Sequence, residues 1–158
     1  MRKILFVCLG NICRSPLAEA IAHDKIKKLG LENLFQAYSC GTANYHIGDS
    51  PDPRTIRNAA KNGIVIDHVG RQLCEADLDD FDELFVMDKS NYDNVVRLKN
   101  ARHNQHKIHM LRDFDPVKGT EVPDPYYGQE KNFQEVFDIL DRSVSKALEF
   151  LQHQDARK

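Results

Sequence analysis

The sequence predicts an α/β chain, a three-layer α/β/α fold around a central four-stranded parallel sheet, on three observations. Short apolar runs that read as buried strands alternate with helical patterns along the whole length. Strands separated by helices argue for parallel pairing with helices on both faces of the sheet. The 158 residues, 41% of them apolar, suffice for one well-buried core and are short for two. With no repeat, low-complexity tract or composition shift to mark a linker, a single domain over residues 1–158 is expected.

The first strand is expected at residues 4–8, where Ile4, Leu5, Phe6 and Val7 form an apolar, partly β-branched run. A helix over residues 16–29 follows. Pro16 suits its first turn, Leu17, Ala18, Ile21, Ala22, Ile26 and Leu29 form its apolar face, and Gly30 ends it. A second strand is expected at 34–39 and a second helix at 53–62, between Pro53 and Gly63. The third strand, 83–87, leads to a polar but regular helix at 90–98, and the fourth strand is expected at 107–111. A long helix follows Gln129. In it Phe133, Val136, Phe137, Leu140, Val144, Ala147, Leu148 and Leu151 recur at steps of three and four, so it must cover a core face. Residues 152–158 are expected to fray.

The segment between the first strand and the first helix carries the chemistry. Cys8-Leu9-Gly10-Asn11-Ile12-Cys13-Arg14-Ser15 puts a thiol and a guanidinium on one loop at the carboxyl end of a strand, where ligands bind in such sheets. A loop feeding a helix N-terminus offers free N–H groups and a positive dipole end to phosphate-like anions, and Arg14 adds a planar two-pronged contact. A helix N-terminus, a neighbouring guanidinium and hydrogen-bond donors all favour a thiolate, the nucleophilic form, so Cys8 is the candidate nucleophile. Ser15 is placed to donate its hydroxyl hydrogen to the sulfur. Gly10 gives the loop backbone freedom, and Asn11 tolerates a left-handed backbone. The Cys-x5-Arg spacing alone is a weak signal; its position between strand and helix gives it weight.

These residues, with Asp124-Pro125-Tyr126-Tyr127 near the other end, closely resemble the low-molecular-weight protein tyrosine phosphatases. The resemblance spans nearly the whole chain, including Ser39, Tyr45-His46-Ile47-Gly48, His68-Val69-Gly70-Arg71-Gln72 and Met87-Asp88-Lys89-Ser90-Asn91. It implies a similar sheet of four parallel strands. It also implies hydrolysis of protein phosphotyrosine and small aryl phosphates through a cysteinyl-phosphate, with Cys8 as nucleophile, Arg14 as phosphate clamp and Asp124 as general acid and base. Leu9, Gly10, Asn11, Ile12, Cys13 and Ser15 would form the phosphate-binding loop, supported by Ser39, His68 and Asp88. Tyr45, Tyr126 and Tyr127 would wall a slot for a phenyl ring, with Ile12 on its floor. Cys13 would trap an oxidised Cys8 as a disulfide.

Cleaving a phosphate ester requires a proton for the departing oxygen, and a carboxylic acid supplies it. Asp124, between Pro123 and Pro125 in a segment rich in Pro, Tyr and Gly, is the candidate; an aspartate beside proline is also a common turn residue. Arg14 and the loop amides supply positive potential, so neither a metal nor another cofactor is expected. Cys8, Cys13, Cys40 and Cys74 lack zinc-site spacing.

A formal charge of −2, from 22 basic and 24 acidic residues, gives no global attraction to nucleic acid or an anionic membrane. The expected partner is a phosphotyrosine protein. No leader or membrane-spanning run is evident, and a reactive thiol needs a reducing compartment, so a cytoplasmic protein, monomeric or weakly self-associating, is expected. Three alternatives stand beside this reading. Arsenate reductases of related fold pass a disulfide to two further cysteines on a mobile segment, a set this chain lacks. Protein-arginine phosphatases typically carry threonine where this loop has Ile12. A non-catalytic phosphate-binding module would need neither Cys8 nor Asp124.

Overall fold

The first strand, β1 (Arg2–Cys8), is an interior strand of the sheet, paired on both edges. The computed structural model describes residues 1–156. Strand β2 (Phe35–Gly41) runs parallel to β1 along its full length, from Arg2 opposite Phe35 to Cys8 opposite Gly41. On the other edge β3 (Glu83–Val86) pairs with β1 from Ile4 to Val7, and β4 (Ile108–Met110) pairs with β3. The order β2-β1-β3-β4 with every pair parallel is the predicted four-stranded sheet. The chain runs from β1 to β2 on one side and crosses back to β3 on the other, so the carboxyl end of β1 lies beside the point where the strand order reverses and opens onto a crevice.

Burial explains why the β1 run is continuously apolar. Ile4, Phe6 and Cys8 belong to a cluster shared with α1 (Arg14–Lys28) and the last long helix, which spans Glu130–Ala156. Leu5 and Val7 point to the opposite face and pack with Leu78, Phe81 and Val95. Leu78 and Val95 come from α3 (Glu75–Asp80) and α4 (Lys89–Val96), which complete the second helical layer. Alternate residues of one strand thus enter two cores, each side chain such as Phe6 or Leu5 contributing roughly 1.5–3 kcal/mol by leaving water. Helix α2 (Pro53–Lys61) packs on the Glu130–Ala156 helix, hereafter α5. No helix among the described residues is long and apolar enough to cross a membrane.

Most expected element ends shift by one or two residues, and two shifts bear on the argument. Helix α1 begins at Arg14, not at Pro16. Pro16 sits at its third position, where the missing N–H would have had no helical partner in any case. Residues 152–156 do not fray: α5 runs to Ala156, and Asp155 pairs with Arg2 at 3.0 Å. The rest of the expected tail, 157–158, lies outside the described residues. Helix α3 and three short 3-10 turns were not predicted.

Candidate active site

The turn out of β1 folds around the Cys8 sulfur. Asn11, the one described non-glycine residue at positive φ (58°), brings its own N–H to 3.3 Å from Cys8 Sγ, and Ser15 Oγ lies 2.9 Å from the same sulfur. The carbonyls of Cys8, Leu9 and Ile12 are tied outward, accepting from the backbone N–H groups of Thr42, Ala43 and Asp52 at 2.8–3.0 Å. A trans peptide points its C=O and N–H in opposite directions, so these ties turn the amides of Leu9, Gly10 and Cys13 the other way. Those amides find no protein acceptor among the described residues, and they adjoin the start of α1. The loop is therefore a cradle for an anion.

The Asn11 carboxamide sets the direction of the hydrogen bonds behind the loop. Its Oδ1 accepts from the backbone N–H of Arg71 at 3.0 Å, a contact that only the oxygen can make. His68 Nε2, 2.7 Å from the same oxygen, therefore carries a proton. The Asn11 Nδ2 then donates to Ser15 Oγ at 2.7 Å and to Ser39 Oγ at 3.1 Å. Accepting from Asn11, the Ser15 hydroxyl keeps its own hydrogen for Cys8 Sγ at 2.9 Å or the Cys40 carbonyl at 3.3 Å. Glu19 stands 3.5 Å from His68 Nδ1.

Arg14 is 2% exposed and anchored along one edge. Its Nη1 donates to Asp88 Oδ2 at 2.8 Å and to the Val122 carbonyl at 3.0 Å, while Nη2 is 3.6 Å from Asp124 Oδ2. Asp88 also caps α4 by accepting from Asn91 N at 2.8 Å, which fixes the carboxylate that fixes the arginine. Burial opposes the charge on Arg14, but Cys8, Asp88 and Asp124 outweigh it and hold the guanidinium above its ordinary range. Burial, with the charge of Asp52 adding to it, pushes the Cys13 thiol up to about 12.

A cavity of about 290 Å³ opens above the sulfur. Cys8, Leu9, Gly10, Ile12, Cys13 and Arg14 form its base, and Asp124, Tyr45, Tyr126 and Tyr127 stand at its sides. Asp124 Oδ1 accepts from Tyr126 N at 3.1 Å, which ties the acid to the wall that follows it. The rings of Tyr126 and Tyr127 meet edge to face at 4.9 Å, and the Arg54 guanidinium lies 5.4 Å from the Tyr126 centroid. Asn11, Ser15, Ser39, His68 and Asp88 are not among the cavity-lining residues and brace its base and its arginine from behind.

Several participants carried no assigned role in the sequence reading. His46 lines the cavity, its Nδ1 3.0 Å from Asp49 Oδ2; its adjacency to Tyr45 was the available signal. Arg54 grips Asp52 through Nε–Oδ1 at 3.1 Å and Nη2–Oδ2 at 2.7 Å, holding that carboxyl below the usual range. Asp52 in turn caps α2 and donates its N–H to the loop at Ile12. Gly41 is required where it is, because a Cβ there would sit 2.7 Å from the Leu9 carbonyl oxygen. Among the described residues no group of three or more His, Cys, Asp or Glu is gathered to hold a metal ion. Cys40 is fully buried and Cys74 exposed, with no disulfide between them.

The family model described as low molecular weight phosphotyrosine protein phosphatase matches residues 3–157. The chain is 42% identical to a putative low molecular weight protein-tyrosine-phosphatase of Synechocystis sp., over 92% of this chain and 94% of that one. The solved protein tyrosine phosphatase from Entamoeba histolytica superposes with a TM-score of 0.93 at 37% identity, covering 98% of this chain and 99% of that one. A drosophila arginine phosphatase gives a TM-score of 0.84 at 30% identity, covering 98% of each chain.

Proposed function

The chain belongs to the low molecular weight phosphotyrosine protein phosphatase family, and from that premise we propose that it hydrolyses phosphotyrosine in proteins through a cysteinyl-phosphate on Cys8. Residues 1–158 are read as one phosphatase domain, acting in the cytoplasm as a monomer or weak self-associate.

In the first step Cys8 Sγ attacks phosphorus in line with the departing oxygen. The S–P bond forms as the P–O bond to the phenol breaks. The amides of Leu9, Gly10 and Cys13 and the guanidinium of Arg14 hold the equatorial oxygens, whose charge a phosphoryl-transfer site must stabilise. Asp124, beside Arg14 at the cavity side, gives its proton to the phenolate oxygen. In the second step water attacks phosphorus, Asp124 takes back a proton, and the S–P bond breaks to release phosphate and the thiolate. Ser15 donates to the departing sulfur.

The observation that carries this reading is the convergence of Cys8, Arg14 and Asp124 on one cavity with aromatic sides. Tyr45 and Tyr126 give a phenyl ring its flanks, and Ile12 an apolar base. The nearest competing reading is hydrolysis of phosphoarginine. Ile12 offers no hydrogen-bond partner to a guanidinium N–H, which favours the aryl ester. Cys13 is proposed to act only once a peroxide has oxidised the Cys8 thiolate to a sulfenic acid: the Cys13 thiol condenses with that group, releasing water and forming a reducible disulfide. The deciding experiment compares phosphotyrosine, phosphoarginine and arsenate as substrates of the purified protein and of Cys8→Ser. Turnover of phosphotyrosine that the substitution abolishes, while vanadate still binds, is the expected result. Retained turnover overturns the nucleophile, and preference for phosphoarginine overturns the substrate.

A further inference from the structure

A second hollow lies beyond the Tyr126 wall. Arg54, Arg57 and Lys61 lie on one face of α2, at spacings of three and four, and line a cleft of about 240 Å³ whose other side includes Glu130 and Phe133. The Arg54 guanidinium is 5.4 Å from the centroid of Tyr126 and 4.7 Å from that of Phe133. Since Tyr126 also lines the catalytic cavity, a single aromatic side chain and its stacked arginine separate the two hollows.

The charges of the cleft are unequally spent. Arg54 is committed to Asp52, and Lys61 is paired with Glu130. Arg57 is exposed and forms no close ion pair among the described residues, although its charge, with that of Lys61, favours the Glu130 carboxylate. Three cations therefore line the cleft against one carboxylate, Glu130, with Asp52 holding Arg54 from outside it, on a chain whose overall charge is −2. An anion entering the cleft would meet Arg57 unpaired and could compete with Glu130 for Lys61. A peptide whose phosphotyrosine fills the catalytic cavity must leave along the rim, and Tyr126 is part of that rim.

Building on the phosphoprotein reading above, we propose that this cleft is an accessory anion subsite that takes an acidic side chain flanking the phosphotyrosine. A carboxylate and a second phosphate share the required chemistry. The cleft is open to water, so the gain is that of an exposed ion pair, roughly two- to fivefold in kcat/KM, and it falls as salt screens it.

The test uses phosphotyrosine peptides with neutral flanks and with glutamate placed at each flanking position in turn, measured with the wild type, Arg57→Ala and Arg57→Glu. The readout is the ratio of kcat/KM for acidic over neutral peptide within each enzyme, which cancels any change in the chemistry common to both. At one or two adjacent positions the wild-type ratio should rise above one and decline with salt. Arg57→Ala should bring it towards one, and Arg57→Glu below one, with lysine then preferred at that position. Replacing the glutamate by a second phosphotyrosine identifies which anion the cleft favours. A wild-type ratio of one at every position, or a ratio that neither substitution changes, overturns the subsite alone. Hydrolysis of small aryl phosphates but of no peptide would remove the phosphoprotein reading, and the subsite with it.

Discussion

The Asn11 carboxamide nitrogen lies 2.7 Å from the Ser15 hydroxyl oxygen, and this contact turns the serine hydrogen away from Asn11. Because Asn11 Oδ1 is fixed by the Arg71 N–H, the serine must accept from Asn11, and its own hydrogen is left for the sulfur 2.9 Å away or the Cys40 carbonyl at 3.3 Å. The hydrogen bond to sulfur matters most when sulfur leaves phosphorus as an anion. Ser15→Ala should slow breakdown of the cysteinyl-phosphate roughly ten- to a hundredfold, the scale of losing one hydrogen bond to a charged group. Rapid-mixing kinetics should show a burst of phenol followed by a slow steady state. A proportional loss of burst and steady rate would place Ser15 in the first step instead.

Asp124 is set beside Arg14, with 3.6 Å between Oδ2 and Nη2, in a carboxylate whose side chain is nearly half exposed. In its proposed role as proton donor it matters in proportion to the basicity of the leaving group. Asp124→Ala should therefore cost about 10²–10⁴-fold with phosphotyrosine and far less with an aryl phosphate whose phenol is strongly acidic. Equal losses across a leaving-group series would mean that Asp124 positions substrate without giving it a proton.

Apart from Ser39, Tyr45, His68, Asp88 and Asp124 with its two tyrosines, which the family resemblance supplied, the part of the site that the sequence makes legible is the part that is contiguous. Residues 8 to 15 meet one another through a single turn, so strand, loop and helix start could be read together. The bracing residues are joined only by the fold. Gly41 faces Cys8 across the β1–β2 register, Glu19 reaches His68 from α1, and Arg54 reaches Asp52 and Tyr126 from α2. Helix α3 was missed because Glu-Ala-Asp-Leu-Asp-Asp buries one large apolar side chain, Leu78, and so has no periodicity to detect. The end of α5 was misread for a similar reason. Its residues are polar, and Asp155 finds its partner, Arg2, at the opposite end of the chain.

Gly41 gives that long-range dependence a direct test. A Cβ at this position would lie 2.7 Å from the Leu9 carbonyl oxygen and 3.1 Å from the Asn11 nitrogen, both backbone atoms of the anion loop. Neither can rotate away, so the loop itself must shift. Gly41→Ala should destabilise by roughly 1–3 kcal/mol and reduce kcat/KM by about 10²-fold through misplacement of the cradle. Denaturant unfolding alongside steady-state kinetics separates the two effects. Full activity in a stably folded variant would show that the loop tolerates displacement.

Cys13 sets an alkaline limit. Its thiol, moved by burial from an ordinary value of 9.0 to about 12, keeps its proton in the folded state at pH values where the unfolded chain has lost it. The folded state then binds more protons than the unfolded one, so stability falls as pH rises from about 9 to about 12, by at most the order of 4 kcal/mol for this group. Below pH 9 the contribution is fully present. Urea unfolding at pH 8.5 and 10.5, about where the slope begins and where it is established, should show a smaller decline for Cys13→Ala than for the wild type. Parallel declines would assign the alkaline sensitivity to other groups.

Tyr126 closes the argument for an aryl substrate. The residue is 40% exposed and lines the cavity, and its ring is held between the edge-to-face contact of Tyr127 and the guanidinium of Arg54. A phenyl ring standing over Cys8 gains a flat apolar contact there, whereas a phosphoserine carries no ring to present to it. Tyr126→Ala should therefore lower kcat/KM for phosphotyrosine about tenfold, the scale of one aromatic pair and its buried area, while leaving the lower value for phosphoserine nearly as it was. The ratio between the two substrates is the quantity to measure. If it survives the substitution, discrimination rests on the reach from cavity mouth to sulfur, and Tyr126 has no part in it.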